Sequence, residues 1–228
     1  MKKYTSLLFL GITNFLFAQQ ILSFTKNKEF VYHTNITATT DSYMSYSEIS
    51  GSPYLNKDFV NGHADCCKEH IPMRYDTYAD QIEYNKGGKI YILLKEAPYS
   101  KIFLTDINTT LVLEDINRNN KPHYFVLLTE GKISLLKQIS SKIESSINNI
   151  QKFSSSQKTT YFHQTEPKYY LKSQINNDSE YVNVKSLKDI INIYPYKNND
   201  IKSYIKYNKT KFTNEESLVK LIDFINKE

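Results

Sequence analysis

The amino-acid sequence predicts an α+β fold in which an N-terminal antiparallel β meander or curved sheet is followed by a C-terminal helical segment packed on it. Two observations lead to this prediction. Short alternating or apolar runs separated by turn-forming residues occupy 29–136 and are typical of strands. Apolar residues then recur at helical spacing over 186–227. A helix with one apolar stripe must bury it, and a sheet face offers the surface for that.

The N-terminus has the pattern of a secretory signal peptide. Lys2 and Lys3 precede an apolar stretch from Leu7 to Phe17, and the small residue Ala18 follows it. The stretch is too short for a comfortable transmembrane helix, so we expect cleavage after Ala18. We therefore expect a signal peptide at 1–18, a single domain at 19–228, and a soluble product in the periplasm or outside the cell. No later apolar run is long enough to span a bilayer.

Charge argues against a nucleic-acid partner. The formal net charge falls from +5 to +3 when Lys2 and Lys3 leave with the signal peptide. Arg74 and Arg118 are the only arginines, and the lysines are spread among acidic residues and asparagines. Nucleic-acid-binding proteins usually cluster their basic residues and use arginine for base and phosphate contacts. We expect an envelope protein or a glycan as the partner instead.

Alternation predicts the individual strands. Phe30, Tyr32 and Thr34 alternate with other residues, and MRYDTYADQIEY does the same from Met73 onward. The glycines of NKGG can take positive φ, so QIEY and KIYILL should form a hairpin. Further strands are predicted at 102–104, 111–113, 124–128 and in KISLLKQ. The polar stretch that follows, SSKIESSINNIQKFSSSQKTT, is predicted to be a loose helix or a loop.

Three helices are predicted near the C-terminus. Ser186 can cap the first helix, in SLKDIINIY, and Pro195 ends it. A second short helix is predicted around Ile201. Thr213 and Glu216 fit a capping box for the third. Its apolar stripe, typical of a core-facing helix, consists of Leu218, Leu221, Ile222 and Ile225.

Three segments carry a resemblance to a known family. SGSPYLNKDF, MRYDTYADQIEY and SLKDIINIYPYKNNDIKSYIKYNKTKFTNEESLVKLIDFIN together resemble secreted proteins of unknown function from bacteria of the Bacteroidetes type. The similarity runs from about Ser50 to the C-terminus. It implies an envelope or periplasmic location, because the C-terminal motif looks like the closing helices of that family and not like a β-type sorting domain. The resemblance carries over no catalytic residue and does not include the Cys66–Cys67 pair.

One segment, NGHADCCKEH, contains candidate metal ligands. His63 and Cys66 are separated by two residues, and so are Cys67 and His70. Thiolate and imidazole are ligands for zinc or copper, and this spacing lets a turn bring two of them to one ion. Neighbouring side chains in extended backbone point to opposite sides, so both cysteines can face one ion only across a sharp turn.

Other interpretations of this segment stay open. It can be a plain connecting loop that ends at Pro72. A disulfide between the adjacent cysteines would be strained, because consecutive Cα atoms lie only about 3.8 Å apart. The cysteines can also pair between molecules, or a thiol can serve as a nucleophile activated by His63 or His70. No aspartate or asparagine can be assigned as the third partner of such a nucleophile.

The remaining motifs predict no catalytic residue and no cofactor. DINRNNKPHYFV opens like a calcium loop, but Asn120 replaces its glycine and Val126 replaces the required glutamate. Phosphate-binding glycine loops, nucleophile elbows and zinc-protease helices do not occur in the sequence. We therefore expect a non-enzymatic binding or scaffolding protein of the envelope. The alternative is a secreted hydrolase, or a metal or redox protein that uses the His63–His70 segment.

Overall fold

The structure is a computed structural model that describes residues 32–33, 43–44, 46–67, 69–148, 157–175 and 178–227. The predicted signal peptide lies outside these residues. Of the strand predicted around Tyr32, only Tyr32–His33 is described.

Within the described residues the chain forms fourteen strands and three α-helices. The strands are Tyr32–His33 (β1), Tyr43–Met44 (β2), Val60–Ala64 (β3), Ile71–Asp76 (β4), Gln81–Lys86 (β5), Lys89–Ile92 (β6), Lys101–Leu104 (β7), Thr109–Glu114 (β8), His123–Thr129 (β9), Ile133–Gln138 (β10), Ser141–Asn148 (β11), Gln157–Gln164 (β12), Lys168–Ile175 (β13) and Asp178–Val184 (β14). The helices are Leu187–Ile193 (α1), Asn198–Asn208 (α2) and Glu215–Lys227 (α3).

Ten of the described strands form one antiparallel sheet, in the order β14-β13-β10-β9-β8-β7-β3-β4-β5-β6. Strands β3 to β6 pair in chain order, and so do β7 to β10. The two series join where β3 pairs with β7, and β13 and β14 extend the sheet beyond β10. The α+β prediction is confirmed, while the strand order is two meanders joined side by side and not one continuous meander.

The prediction for the polar stretch after β10 is wrong. Its described parts belong to β11 and β12, which pair with each other as a separate antiparallel ribbon. Cross-strand pairing satisfies the backbone groups of this ribbon, so its many polar side chains do not prevent strand formation. Phe162 on β12 is buried and packs edge to face on Tyr46 and Tyr78. A cross-strand bond in which the Tyr161 hydroxyl donates to Glu144 Oε2 at 3.0 Å supports the pairing. The β-rich region therefore reaches Val184 and does not end at 136.

The hairpin predicted at NKGG is confirmed. Lys86 pairs with Lys89 at the end of β5 and β6. Gly87 and Gly88 form the turn with φ of +61° and +77°, a conformation that L side chains rarely adopt. The Asn85 side chain accepts a hydrogen bond from Gly88 N at 3.1 Å and steadies the turn.

The three predicted helices are confirmed, with one change of cap. Ser186 Oγ caps α1 by accepting from Asp189 N, as predicted. The α3 helix is capped by Asn214, whose Oδ1 accepts from Ser217 N at 2.8 Å, and not by Thr213. Asn214 is therefore the N-cap residue. The α3 helix begins at Glu215, one residue later than it would with Thr213 as the cap. No helix in the described part of the chain is long and apolar enough to cross a bilayer.

Two large clusters of buried side chains make up most of the core. The first cluster lies among strands β3 to β9 and includes three fully buried tyrosines, Tyr75, Tyr84 and Tyr124. The second joins β10, β13 and β14 to the helices, and it contains the whole apolar stripe predicted for α3. Several of the aromatic residues in this tyrosine-rich chain thus serve as core.

Candidate functional site

The structure places the predicted metal ligands at the end of β3. His63 lies in that strand, and the Cys67 amide donates to the Ala64 carbonyl at 2.9 Å, which closes a tight turn. Within this turn Cys66 and Cys67 form a disulfide with each other, so neither is a free thiol. The sharp turn that a shared ion would need is therefore present.

The two predicted histidines lie close together beside this turn. The centroids of the His63 and His70 rings are 4.6 Å apart, and His63 stacks on Phe103 at 4.9 Å. His63 Nδ1 is buried and has no hydrogen-bond partner among the described residues. In this disulfide-bonded form, no described group of three or more His, Cys, Asp or Glu side chains is arranged to hold a metal ion. The four-residue metal site stays a prediction.

A cavity of about 530 Å³ lies between the sheet and the C-terminal helices. Its volume is in the range of small-molecule binding sites. Its walls come from the starts and centres of β10, β13 and β14, from the end of α1, and from the last turn of α3.

The lining of this cavity, which we call the sheet–helix cavity, combines an apolar floor with a few charged groups. The apolar residues of the lining are Ile133, Leu171, Val182, Ile193 and Ile225. Lys132, Lys197 and Glu180 supply the charges, and Ser173 and Tyr194 supply hydroxyl groups. Sites that bind small molecules are typically apolar with a small number of convergent polar groups of this kind.

Side-chain hydrogen bonds hold the helical wall of the cavity against the sheet. The Asn226 amide accepts from Ile133 N and donates to Ile133 O, both at 2.8 Å. Gly131 leaves room for this pairing, because a Cβ there would lie 2.6 Å from Asn226 Nδ2. Lys197 Nζ donates to the Ile225 carbonyl at 3.3 Å, at the last turn of the helix. The cavity is thus bounded by fixed walls.

A second pair of contacts fixes α3 at its other end. The Tyr169 hydroxyl, on β13, donates to Glu215 Oε2 at 3.1 Å. Lys137, on β10, pairs with the same carboxylate at 2.5 Å. Burial, followed by the nearby Glu215 charge, raises the pKa of Tyr169 to about 12, so this hydroxyl remains a donor at neutral pH. The helix is therefore anchored to the sheet at both ends.

The structure also contains a polar cluster around Asp80 that sequence reasoning missed. Asp80 Oδ1 accepts from the Tyr75 hydroxyl at 2.8 Å and from Tyr124 N at 3.1 Å. Its Oδ2 pairs with Lys95 and, at 2.8 Å, with His123 Nδ1. Asp80 has a φ of +52°, which is uncommon for a residue other than glycine. The members come from separate segments, so no local sequence signal links them.

The Asp80 cluster is best explained as a structural anchor. A histidine held by a carboxylate through Nδ1 resembles two members of a catalytic triad. However, no described serine, threonine or cysteine side chain is hydrogen-bonded to the His123 ring. The Asp80 carboxylate instead accepts from four donors. These contacts hold the turn after β4 against β9 and against the segment after β6. None of its members lines the sheet–helix cavity.

Comparison with known proteins found no matching family model, curated protein or solved structure. The resemblance to secreted proteins of Bacteroidetes-type bacteria therefore stays an expectation.

Sequence reasoning also missed the sheet–helix cavity. Lys132 and Lys197 are sixty-five positions apart, and the lining residues between them belong to different elements. One signal was available, since Lys132 opens the predicted strand KISLLKQ and Lys197 lies two residues after Pro195, which ends the first predicted helix. Positions next to turns and helix ends often contribute to binding sites, but the pattern does not show which of them meet.

Proposed function

We propose that this protein is an exported binding protein of the cell envelope, and that the sheet–helix cavity binds a small amphiphile with an anionic head group. The observation that carries this proposal is the cavity itself, a space of about 530 Å³ whose lining combines five aliphatic side chains with two lysines. The signal-peptide pattern of residues 1–18 supports the proposed export.

The lining supports an apolar ligand body. Burial of apolar ligand surface against the five aliphatic side chains stabilises the complex by roughly 25 cal/mol per Å² before the entropic cost of binding is subtracted. The floor is already ordered, because Leu171 and Ile225 are almost fully buried and belong to the second core cluster. A preformed site avoids part of the ordering cost.

The charged groups favour an anion over a cation. Lys132 and Lys197 contribute two positive charges and Glu180 one negative charge, so the lining is positive on balance. A carboxylate or phosphate can accept charge-assisted hydrogen bonds from either ammonium group. Glu180 would repel such a head group, so this carboxylate should weaken binding where it approaches the ligand.

Binding is better supported than hydrolysis. The described lining of the cavity contains no histidine and no cysteine. His123, which a carboxylate holds through Nδ1, lies in the Asp80 cluster and not at the cavity. A catalytic account would need a nucleophile and a base within hydrogen-bond reach of each other near bound substrate.

A displacement assay tests the proposal. The purified exported protein is titrated with 1-anilinonaphthalene-8-sulfonate, an apolar anion that fluoresces in apolar sites, and the probe is then displaced with decanoate. We expect one saturable site. Lys197→Ala should weaken decanoate binding about tenfold or more, because a charge-assisted hydrogen bond contributes about 1.5–3 kcal/mol. Glu180→Gln should strengthen it.

Two further variants make the result specific. Val182→Trp should block the site by filling the cavity, while Lys188→Ala removes an exposed lysine of α1 that is not in the lining. We expect no binding by the first variant and unchanged affinity in the second. The absence of saturable binding, or binding that Val182→Trp leaves intact while the protein remains folded, would contradict the proposal.

A further inference from the structure

We propose that helix α2 and the turn after it form a docking surface for a membrane that carries anionic phospholipids. The surface, which we call the α2 basic surface, consists of Lys202, Lys206, Tyr207, Lys209 and Lys211, all of them exposed. It is independent of the sheet–helix cavity.

The outer side of α2 points away from the core. Ile201 is fully buried in the second core cluster, and Tyr204 and Ile205 pack against that cluster. Lys202 and Lys206 are four positions apart, so they lie one turn apart on the same face, away from this apolar side. Helix α2 therefore uses its apolar side for docking to the protein and presents a basic side to solvent.

The positive charge of the chain is concentrated in this region. Residues 197–211 contain five lysines and one aspartate, a net charge of +4, while the whole chain has a net charge of +5.

The lysines of the α2 basic surface are also uncompensated. None of the four forms a salt bridge with an acidic side chain that the structure describes. By contrast, Lys95, Lys137 and Lys172 are paired with carboxylates. Lysines near an anionic membrane surface strengthen binding by about fivefold each. A cluster of this kind is therefore complementary in charge to such a membrane.

An exposed aromatic ring favours a lipid surface over other anionic partners. Tyr207 is 88% exposed, more than the other large apolar side chains that the structure describes as exposed. Tyrosine is enriched at membrane–water interfaces, where its ring contacts lipid and its hydroxyl stays among the head groups. Lysines also stabilise the C-terminus of a helix, which explains Lys206 and Lys209 but neither Lys202 nor Tyr207. A lipid surface accounts for all of them.

Vesicle co-sedimentation tests the docking. The purified exported protein is mixed with sucrose-loaded vesicles of phosphatidylglycerol and phosphatidylcholine in equal parts, or with vesicles of phosphatidylcholine alone. We expect saturable binding to the anionic vesicles and little binding to the neutral ones. The partition constant should fall at least about tenfold when the salt concentration rises from about 0.05 M to about 0.5 M, because salt screens exposed charges.

Two charge-matched double variants locate the surface. Lys202→Gln with Lys206→Gln should weaken partition onto the anionic vesicles about twenty-five-fold, since each lysine contributes about fivefold. Lys86→Gln with Lys89→Gln removes the same charge from the exposed β5–β6 hairpin at the other end of the sheet, and should change partition less than about twofold. Circular dichroism shows that each variant is folded.

Two single variants complete the set. Tyr207→Ser should weaken partition by a smaller factor that is equal at low and high salt, because a contact between the ring and lipid is not screened. Val182→Trp fills the sheet–helix cavity without touching α2, so partition should be unchanged.

Four results would overturn the inference. Two of them are equal partition onto neutral vesicles and equal losses in the two double variants. A third is loss of vesicle binding in folded Val182→Trp protein, which would show that the cavity takes up the lipid. The fourth is binding to polygalacturonate, an acidic polysaccharide, without binding to the anionic vesicles.

Discussion

Two buried tyrosines of the first core cluster differ in the hydrogen bonding of their hydroxyl groups. The rings of Tyr75 and Tyr124 meet edge to face with centroids 5.9 Å apart, and both residues are almost fully buried. The Tyr75 hydroxyl donates to Asp80, whereas the Tyr124 hydroxyl has no hydrogen-bond partner among the described residues. Burial, followed by the nearby Asp80 charge, raises the pKa of both groups above the usual value for tyrosine.

These two residues give a matched prediction. Tyr75→Phe should destabilise the protein by about 1–3 kcal/mol, because the hydrogen bond to a charged carboxylate is lost and that carboxylate loses a donor. Tyr124→Phe should leave stability unchanged or raise it, since it removes only an unsatisfied buried hydroxyl. Urea unfolding of the two variants measures the difference. Equal destabilisation by both substitutions would contradict the assignment of their hydrogen bonds.

Residue-scale features were predictable where they are local. The glycines of the β5–β6 turn and the Ser186 cap follow from the residue types next to them. The Asp80 cluster was not predictable, because its donors lie up to forty-four positions away and meet only when the sheet forms. The sequence leaves a disulfide between Cys66 and Cys67 open, but the turn that permits it depends on the path of β3.

At the scale of elements, α3 is the helix that joins the helical layer to the sheet. Its apolar stripe is fully buried in the second core cluster, and Asn226 and Glu215 anchor its two ends. The helix also contributes Ile225 to the cavity lining. Loss of its docking should therefore reduce both the stability of the fold and ligand binding.

Substitution within α3 tests this role. Leu221→Ala should lower the free energy of unfolding by about 2–5 kcal/mol, because a fully buried leucine leaves a cavity in the core. Lys220→Ala, at an exposed position of the same helix, is the control and should cause little change. Thermal or urea unfolding gives the comparison. A Leu221→Ala protein as stable as the control would show that α3 does not dock.

Element prediction succeeded where side chains repeat with a clear period. The stripe from Leu218 to Ile225 follows a helical period, and β9 is a short apolar run that follows the turn-forming residues DINRNNKP, so the sequence predicted both. Strands β11 and β12 are rich in serine, threonine, lysine and glutamine, so their composition resembled a loop, although Phe162 is buried and the backbone of Ser50 bonds to Thr160 and Phe162. The join between β3 and β7 is a long-range pairing that no local pattern encodes.

The whole molecule depends on buried tyrosines, which makes its stability sensitive to alkaline pH. Burial, with smaller contributions from nearby Tyr91 and Tyr99, raises the pKa of Tyr84 from 10.0 to about 12. In the folded state such a phenol keeps a proton that the unfolded chain loses. The stabilisation is therefore fully present below pH 10 and is lost as the pH rises toward the folded-state pKa.

Unfolding measured against pH tests this dependence. We expect the urea midpoint to fall between about pH 10 and pH 12, and the tyrosinate absorbance to rise together with loss of structure. The direction follows from the sign of the pKa change, since the deprotonated phenol is favoured in the unfolded chain. A midpoint that stays constant throughout that interval would contradict the burial of these hydroxyl groups.

The sheet–helix cavity is a property of the whole molecule. Its walls combine three strands, the ends of two helices and the short turn between α1 and α2. The sequence predicted the helices and part of the sheet, but it did not predict β13 and β14, which form one wall. The candidate site could therefore not be derived before these strands were known.

The most direct test of the central claim is a two-dimensional amide NMR titration of the isotope-labelled exported protein with decanoate. We predict saturable chemical-shift changes concentrated at the start of β10, along β13 and β14, and at the last turn of α3, which together surround the cavity. Shift changes centred on the Asp80 cluster or on the turn after β3, or no saturable change, would contradict the claim that this cavity is the binding site.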